Sequence, residues 1–150
     1  MNHETRLTLL AALALLSACQ GERGRTADGE GVREGPGPAF TEIAAEDVLR
    51  FTATEPFWGG EVRGSELTYT TPENPQGSRV KISRFAGNNG LSVSGQLGGQ
   101  GFDMAVTEAA CSDGMSDRTY PFTVSLRLGG ETRAGCAWTD RRPFSGPEAP

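Results

Sequence analysis

Histidine is all but missing from this 150-residue chain, since the only one, His3, stands three residues from the start. A chain so poor in histidine has no Ser–His or Cys–His nucleophile and no zinc site of the usual kind. Lysine is as scarce, with Lys81 alone and inside a strand pattern. Positive charge is also short: the formal net charge is -5, which leaves no basic footprint for nucleic acid. The same balance is a poor match to anionic headgroups, so any membrane attachment has to be covalent or hydrophobic. No apolar run reaches the twenty or so residues that span a bilayer; the longest, Leu7–Leu16, covers about ten positions. Helix-period segments long enough to cover a flat sheet are absent after Phe51. Cysteines number 3, and an odd count is awkward for an exported domain.

The amino terminus explains the odd count. Arg6 precedes the apolar run, and the small residues Ser17 and Ala18 follow it, which is the layout of a signal peptide. A short buried helix is the alternative, but Gly, Arg and Glu residues follow at once and give it no amphipathic continuation. Leu16-Ser17-Ala18-Cys19 resembles the lipobox of bacterial lipoproteins. That resemblance implies cleavage before Cys19, a diacylglyceryl group on its thiol and acylation of the new amine. Two or three acyl chains make a stable anchor where one does not. Gln20 in place of Asp implies the outer rather than the inner membrane, with the domain facing the periplasm. Lipid on Cys19 leaves Cys111 and Cys136 to pair in an oxidising compartment, the alternative being two buried thiols.

These boundaries predict a signal peptide over residues 1–18 and a lipidated, disordered linker over 19–39, rich in Gly, Arg, Glu and Pro. A folded domain is expected over 40–139 and a disordered tail over 140–150. Thr41–Asp47 suits a helical turn or two. Beyond it the period is two: Leu91, Val93, Gly95 and Leu97 alternate with polar residues, as do Phe102, Met104 and Val106, and Tyr120 through Leu128. Gly64-Ser65, Gly98-Gly99 and Gly129-Gly130 are two-residue hairpin signals. Gly87-Asn88-Asn89-Gly90 makes a longer turn after Val80–Phe85. Short connections throughout predict an all-β antiparallel meander of seven or eight strands, closed into a small barrel or half-open roll.

Two segments concentrate chemistry. In Glu55-Pro56-Phe57-Trp58 the two rings fall on opposite faces of a strand. Phe57 is expected in the core and Trp58 at the surface beside Glu55, with Gly59 and Gly60 clearing space for its ring. Cys111-Ser112-Asp113-Gly114-Met115-Ser116-Asp117 offers two carboxylates four residues apart, but lacks the alternating acids and closing Glu of a calcium loop. A tight turn at Asp113-Gly114, pinned by a disulfide, suits it better, and no metal or cofactor is expected. Glu55, Trp58, Asp113, Met115 and Asp117 are the candidate binding residues; no catalytic residue is assigned.

Both segments resemble the signature of an uncharacterised family of bacterial envelope lipoproteins. Phe51, Ala53 and Glu55-Pro56-Phe57-Trp58 match its start, Cys111 through Phe122 its Cys-x-Asp-Gly-Met-Ser run, and Gly135-Cys136-Ala137 its end. The resemblance implies a compact β domain with a disulfide and brings no known activity. Some members look like fusions with lysozyme-inhibitor or heat-shock-lipoprotein domains, and neither partner is visible here. The expectation is a lipid-anchored module that binds an envelope protein or glycan and is not an enzyme. An envelope glycan hydrolase using a carboxylate pair and a purely structural lipoprotein are the alternatives.

Overall fold

The computed structural model describes residues 37–147. The predicted signal peptide, Cys19 and most of the predicted linker lie outside the described residues. Among the described residues eight antiparallel strands follow one another: β1 (Leu49–Thr54), β2 (Phe57–Arg63), β3 (Glu66–Thr71), β4 (Asn74–Ala86), β5 (Gly90–Leu97), β6 (Gln100–Cys111), β7 (Tyr120–Leu128) and β8 (Glu131–Trp138). Each pairs with its sequence neighbours, and β8 returns to β1, so the meander closes into a barrel, and no helix stands among the described residues. The expected hairpins stand at Gly64-Ser65, Gly98-Gly99 and Gly129-Gly130, and two further two-residue turns lie at Glu55-Pro56 and Pro72-Glu73. Closure joins the two strands that would be the edges of an open eight-stranded sheet, pairing Arg50–Thr52 with Cys136–Trp138.

The period of two sets what fills the barrel. Leu49, Phe51 and Ala53 point inward from β1, Leu91 and Val93 from β5, and Phe102, Met104 and Val106 from β6. Outward positions carry Thr, Ser, Arg, Asp and Glu, for example Asp103 and Arg127 paired across β6 and β7. A dry interior and polar exterior reverse the arrangement of a lipid-facing barrel.

One end, here called lower, is where β1 begins and β8 finishes. It is stoppered by the residues before β1. Ile43 is buried in the core, Phe40 meets Phe122 edge-on at 6.4 Å, and the Phe40 N–H donates to the Gly87 carbonyl at 2.7 Å. The predicted helix over 41–47 is instead a turn. The Asp47 carboxylate accepts from the Ala44 N–H at 2.8 Å, the Asp47 N–H donates to the Ala44 carbonyl, and Arg84 donates to the carbonyls of Ala44 and Ala45. A side chain that bonds its own backbone competes with helix propagation.

Of the predicted tail over 140–150, residues 148–150 lie outside the described residues. Residues 139–147 form an ordered strap rather than continuing as disordered chain. Arg141 donates from Nε and Nη2 to the Asp47 carboxylate, and Arg142 bridges Glu42 and Glu108. Phe144 packs on Tyr120 and Trp138, and Ser145 forms a β-bridge with Thr119. The domain therefore extends past its expected limit at 139 to at least Pro147.

Candidate functional site

The aromatic pair at the start of β2 is reversed from expectation. Trp58 is 3% exposed and Phe57 54% exposed. Register explains it: the two-residue turn places Trp58 opposite Ala53 and Phe57 opposite Thr54, and the β1 face holding Ala53 is the inner one. Trp58 lies between Phe51 at 5.7 Å and Tyr69 at 6.1 Å, and Tyr69 meets Phe102 at 5.9 Å. Trp58 is thus a core residue and is withdrawn from the surface. Gly60 serves other neighbours: a Cβ there would lie 1.9 Å from the Thr68 carbonyl oxygen and 2.9 Å from the Phe51 ring.

The loop between β6 and β7 is built on a covalent and a polar fastening. Cys111 and Cys136 form a disulfide, with Cα atoms 5.6 Å apart. Cys136 pairs with Thr52 and Thr123, both outward positions, so the bridge lies on the outer wall. Past the irregularity between Glu108 and Cys111, the end of this hairpin curls over that wall. Tyr120 leaves the barrel core and joins Trp138 at 5.3 Å and Phe144 at 5.6 Å in a second, smaller cluster. The Arg118 guanidinium sits 4.6 Å over the Phe144 ring.

Asp113 organises the loop tip. One oxygen accepts from the N–H groups of Met115 and Ser116, at 3.0 and 2.8 Å. The other accepts from the Ser116 and Tyr120 hydroxyls, at 2.7 and 3.1 Å. Partial burial pushes the carboxyl pKa up, but these four donors together outweigh it and hold the value at about 2. The Asp113 carbonyl in turn accepts from the Thr54 hydroxyl at 2.6 Å, which ties the loop to the end of β1.

A groove of about 490 Å³ runs between this loop and the upper half of the β1–β8 junction. Ala53–Glu55 and Ser112–Met115 line its sides, and Ala134–Cys136 its floor. It brings together three of the five candidate binding residues: Glu55, Asp113 and Met115. Asp113 is spent on the loop's own bonds, whereas Met115 stands 68% exposed. Asp117 lies outside the groove, its carbonyl near Gly146 of the strap. The residue missed by sequence reasoning is Phe57, exposed on the outer face across from Thr54. Counting across the Glu55-Pro56 turn from the apolar face of β1 would have found it.

Among the described residues no three His, Cys, Asp or Glu side chains cluster as metal ligands. Ser78 and Lys81 stand at Ser-x-x-Lys spacing, a motif of some acyl-transfer nucleophiles. They occupy opposite faces of β4, Ser78 across from the inward Tyr69 and Lys81 across from the outward Glu66. Comparison with protein-family models, with curated proteins and with solved structures finds no match to this chain.

Proposed function

We propose that the chain is a lipid-anchored module of the bacterial cell envelope, held through Cys19 and facing the periplasm from the outer membrane. It binds a partner through the groove beneath the disulfide loop. The observation that carries this reading is the fixed presentation of Met115 and Glu55 around a groove, with the Phe57 ring on the same outer face. A loop locked by a disulfide, four bonds to Asp113 and the tie to Thr54 loses little freedom on binding, which favours affinity. An exposed ring and thioether beside a carboxylate are the residue types that anchor protein contacts.

Glu55 and Asp113 share the groove, which gives the glycan-hydrolase reading its one point of support. A carboxyl held at about 2 by four donors is a weak base at neutral pH and no general acid, so binding is the better account.

The full lipidated chain, immobilised in detergent, should capture a partner from envelope extract. A Phe57→Ala, Met115→Ala, Glu55→Gln variant should keep its melting temperature and lose that partner. Equal capture by the variant would overturn the assignment of the groove.

A further inference from the structure

Barrel closure is uneven. β1 and β8 meet through Arg50↔Trp138, Phe51↔Ala137 and Thr52↔Cys136. Above these pairs β8 continues through Gly135, Ala134, Arg133 and Thr132 to Glu131, paired all the way with β7. Among the described residues no strand pairs with its other edge there.

The direction of the backbone groups follows from alternation, because successive residues of an antiparallel strand turn their N–H and C=O to opposite sides. The Thr52 carbonyl oxygen lies 2.6 Å from where a Cβ would stand on Gly135, and that of Phe51 lies 2.8 Å from the same point on Gly59. Thr52 therefore faces β8 and Phe51 faces β2. Since Thr52 pairs with Cys136, the residues of β8 that turn toward β1 are Cys136, Ala134 and Thr132. Neither of the last two pairs with β1. Thr54 comes level with Ala134 in this register but does not pair with it, its hydroxyl being tied to the Asp113 carbonyl, and the chain then turns away at Glu55-Pro56 before Thr132. Gly135 marks the point of closest approach: a Cβ there would also press on Ala53 at 3.1 Å and the Trp58 ring at 3.2 Å.

Ala134 of this open edge lies in the floor of the groove already described, and Thr132 continues the edge beyond it. Ala134 points outward with only a methyl group, so nothing of its own shields the backbone. We propose that the edge takes an extended polypeptide segment of a partner as an added strand. The segment would be about four or five residues long, pairing with Ala134 and Thr132. The proposal rests on the binding reading above and names its ligand class. Backbone donors and acceptors that recur at every second residue, about 7 Å apart, match another strand and match no repeat of sugar hydroxyls. Glu55 has no cationic partner among the described residues and lines the same groove, so it favours a basic side chain in the segment. Met115 favours an aliphatic one beside it.

The test uses the full lipidated chain in detergent and phage-displayed random heptapeptides as the probe. Enriched peptides should alternate aliphatic residues with others and include Lys or Arg. A synthetic copy should slow amide exchange of Thr132 and Ala134 at least tenfold, while Arg133 and Gly135 are already protected by β7 in the free protein. Methylating the backbone nitrogens of that peptide should abolish binding, and Ala134→Pro should weaken it at least tenfold. The exchange measurement needs no variant, so it decides the matter even if the proline prevents folding. Failure to enrich any sequence, or peptides that leave the Thr132 and Ala134 amides unchanged, would overturn the proposal. A partner lost with Phe57, Met115 and Glu55 but indifferent to Ala134→Pro would overturn it too, while leaving the binding reading intact. The same holds for protection of the groove by glycan fragments alone.

Discussion

Truncating Trp58 would remove a ring wedged between Phe51 and Tyr69, with the chain of contacts continuing to Phe102. Trp58→Ala should cost about 3–5 kcal/mol, close to the whole stability of a small domain, and chemical denaturation should find it largely unfolded. Phe57→Ala should cost under about 1 kcal/mol, because its ring is more than half exposed. Asp113 is tested by pH. Its folded pKa of about 2 lies below the ordinary 3.8, so the unfolded chain binds its proton more readily. The stabilisation is therefore complete above the unfolded value and is lost as pH falls from about 4 through 2, with a ceiling of roughly 2 kcal/mol. Asp113→Asn should be less stable than the parent at neutral pH by an amount of that order. Urea curves should show the gap shrinking toward pH 2, and a constant gap would mean the carboxylate charge is not what the loop uses. Alternation of Phe57 and Trp58 was legible in the sequence, but its phase was read the wrong way round, because two adjacent apolar rings satisfy either phase. Phase came from the strand across the turn.

The β6–β7 loop and the strap after β8 depend on each other, since Tyr120 at the base of one packs on Phe144 of the other. The disulfide closes a separation of 25 residues, which the chain-entropy model equates to roughly 3–4 kcal/mol. Reduction should lower the melting temperature by about 10 °C or more in a calorimetric scan, and a shift of a degree or two would mean the polar fastening alone suffices. The hairpins and most strands were readable from glycine pairs and period two. The first half of β4 was not, because Asn74–Arg79 carry little to bury and extend the β3–β4 hairpin through backbone bonds. The strap was not legible for a different reason. Arg141 and Asp47 are 94 residues apart, and Arg-Arg-Pro-Phe reads locally as a polar tail.

For the molecule as a whole, the proposed function assigns attachment and recognition to separate parts of the chain. Cys19→Ala should move the protein from the membrane to the soluble fraction and abolish acyl labelling, with the melting temperature of the barrel unchanged. Retention in the membrane fraction would mean an uncleaved anchor instead. The fold class was accessible from pattern alone, because a meander needs only local turns and a consistent inner face. The groove was not, since it lies where pairing between β1 and β8 ends after Thr52↔Cys136 while β8 runs on, which only the closed register reveals.

Where the barrel closes, ion pairs add to the backbone pairing of β1 with β8. Arg50 with Asp140, Arg141 with Asp47, and Arg142 with Glu42 each join the residues around the start of β1 to the strap that leaves β8. Most of these groups are exposed enough to feel dissolved ions. Ionic strength is then a local handle rather than a global one. Raising sodium chloride from about 0.05 to 1 M shortens the Debye length from roughly 14 to 3 Å, weakening this stitching while leaving the apolar interior untouched. Amides of Arg50 and Thr52 should exchange faster in concentrated salt, and those of β5 and β6 should not. Brief fraying of the β1–β8 pairs would lengthen the open edge of β8 downward, so a strand-adding ligand should lose less affinity as salt rises than charge attraction to Glu55 alone would give.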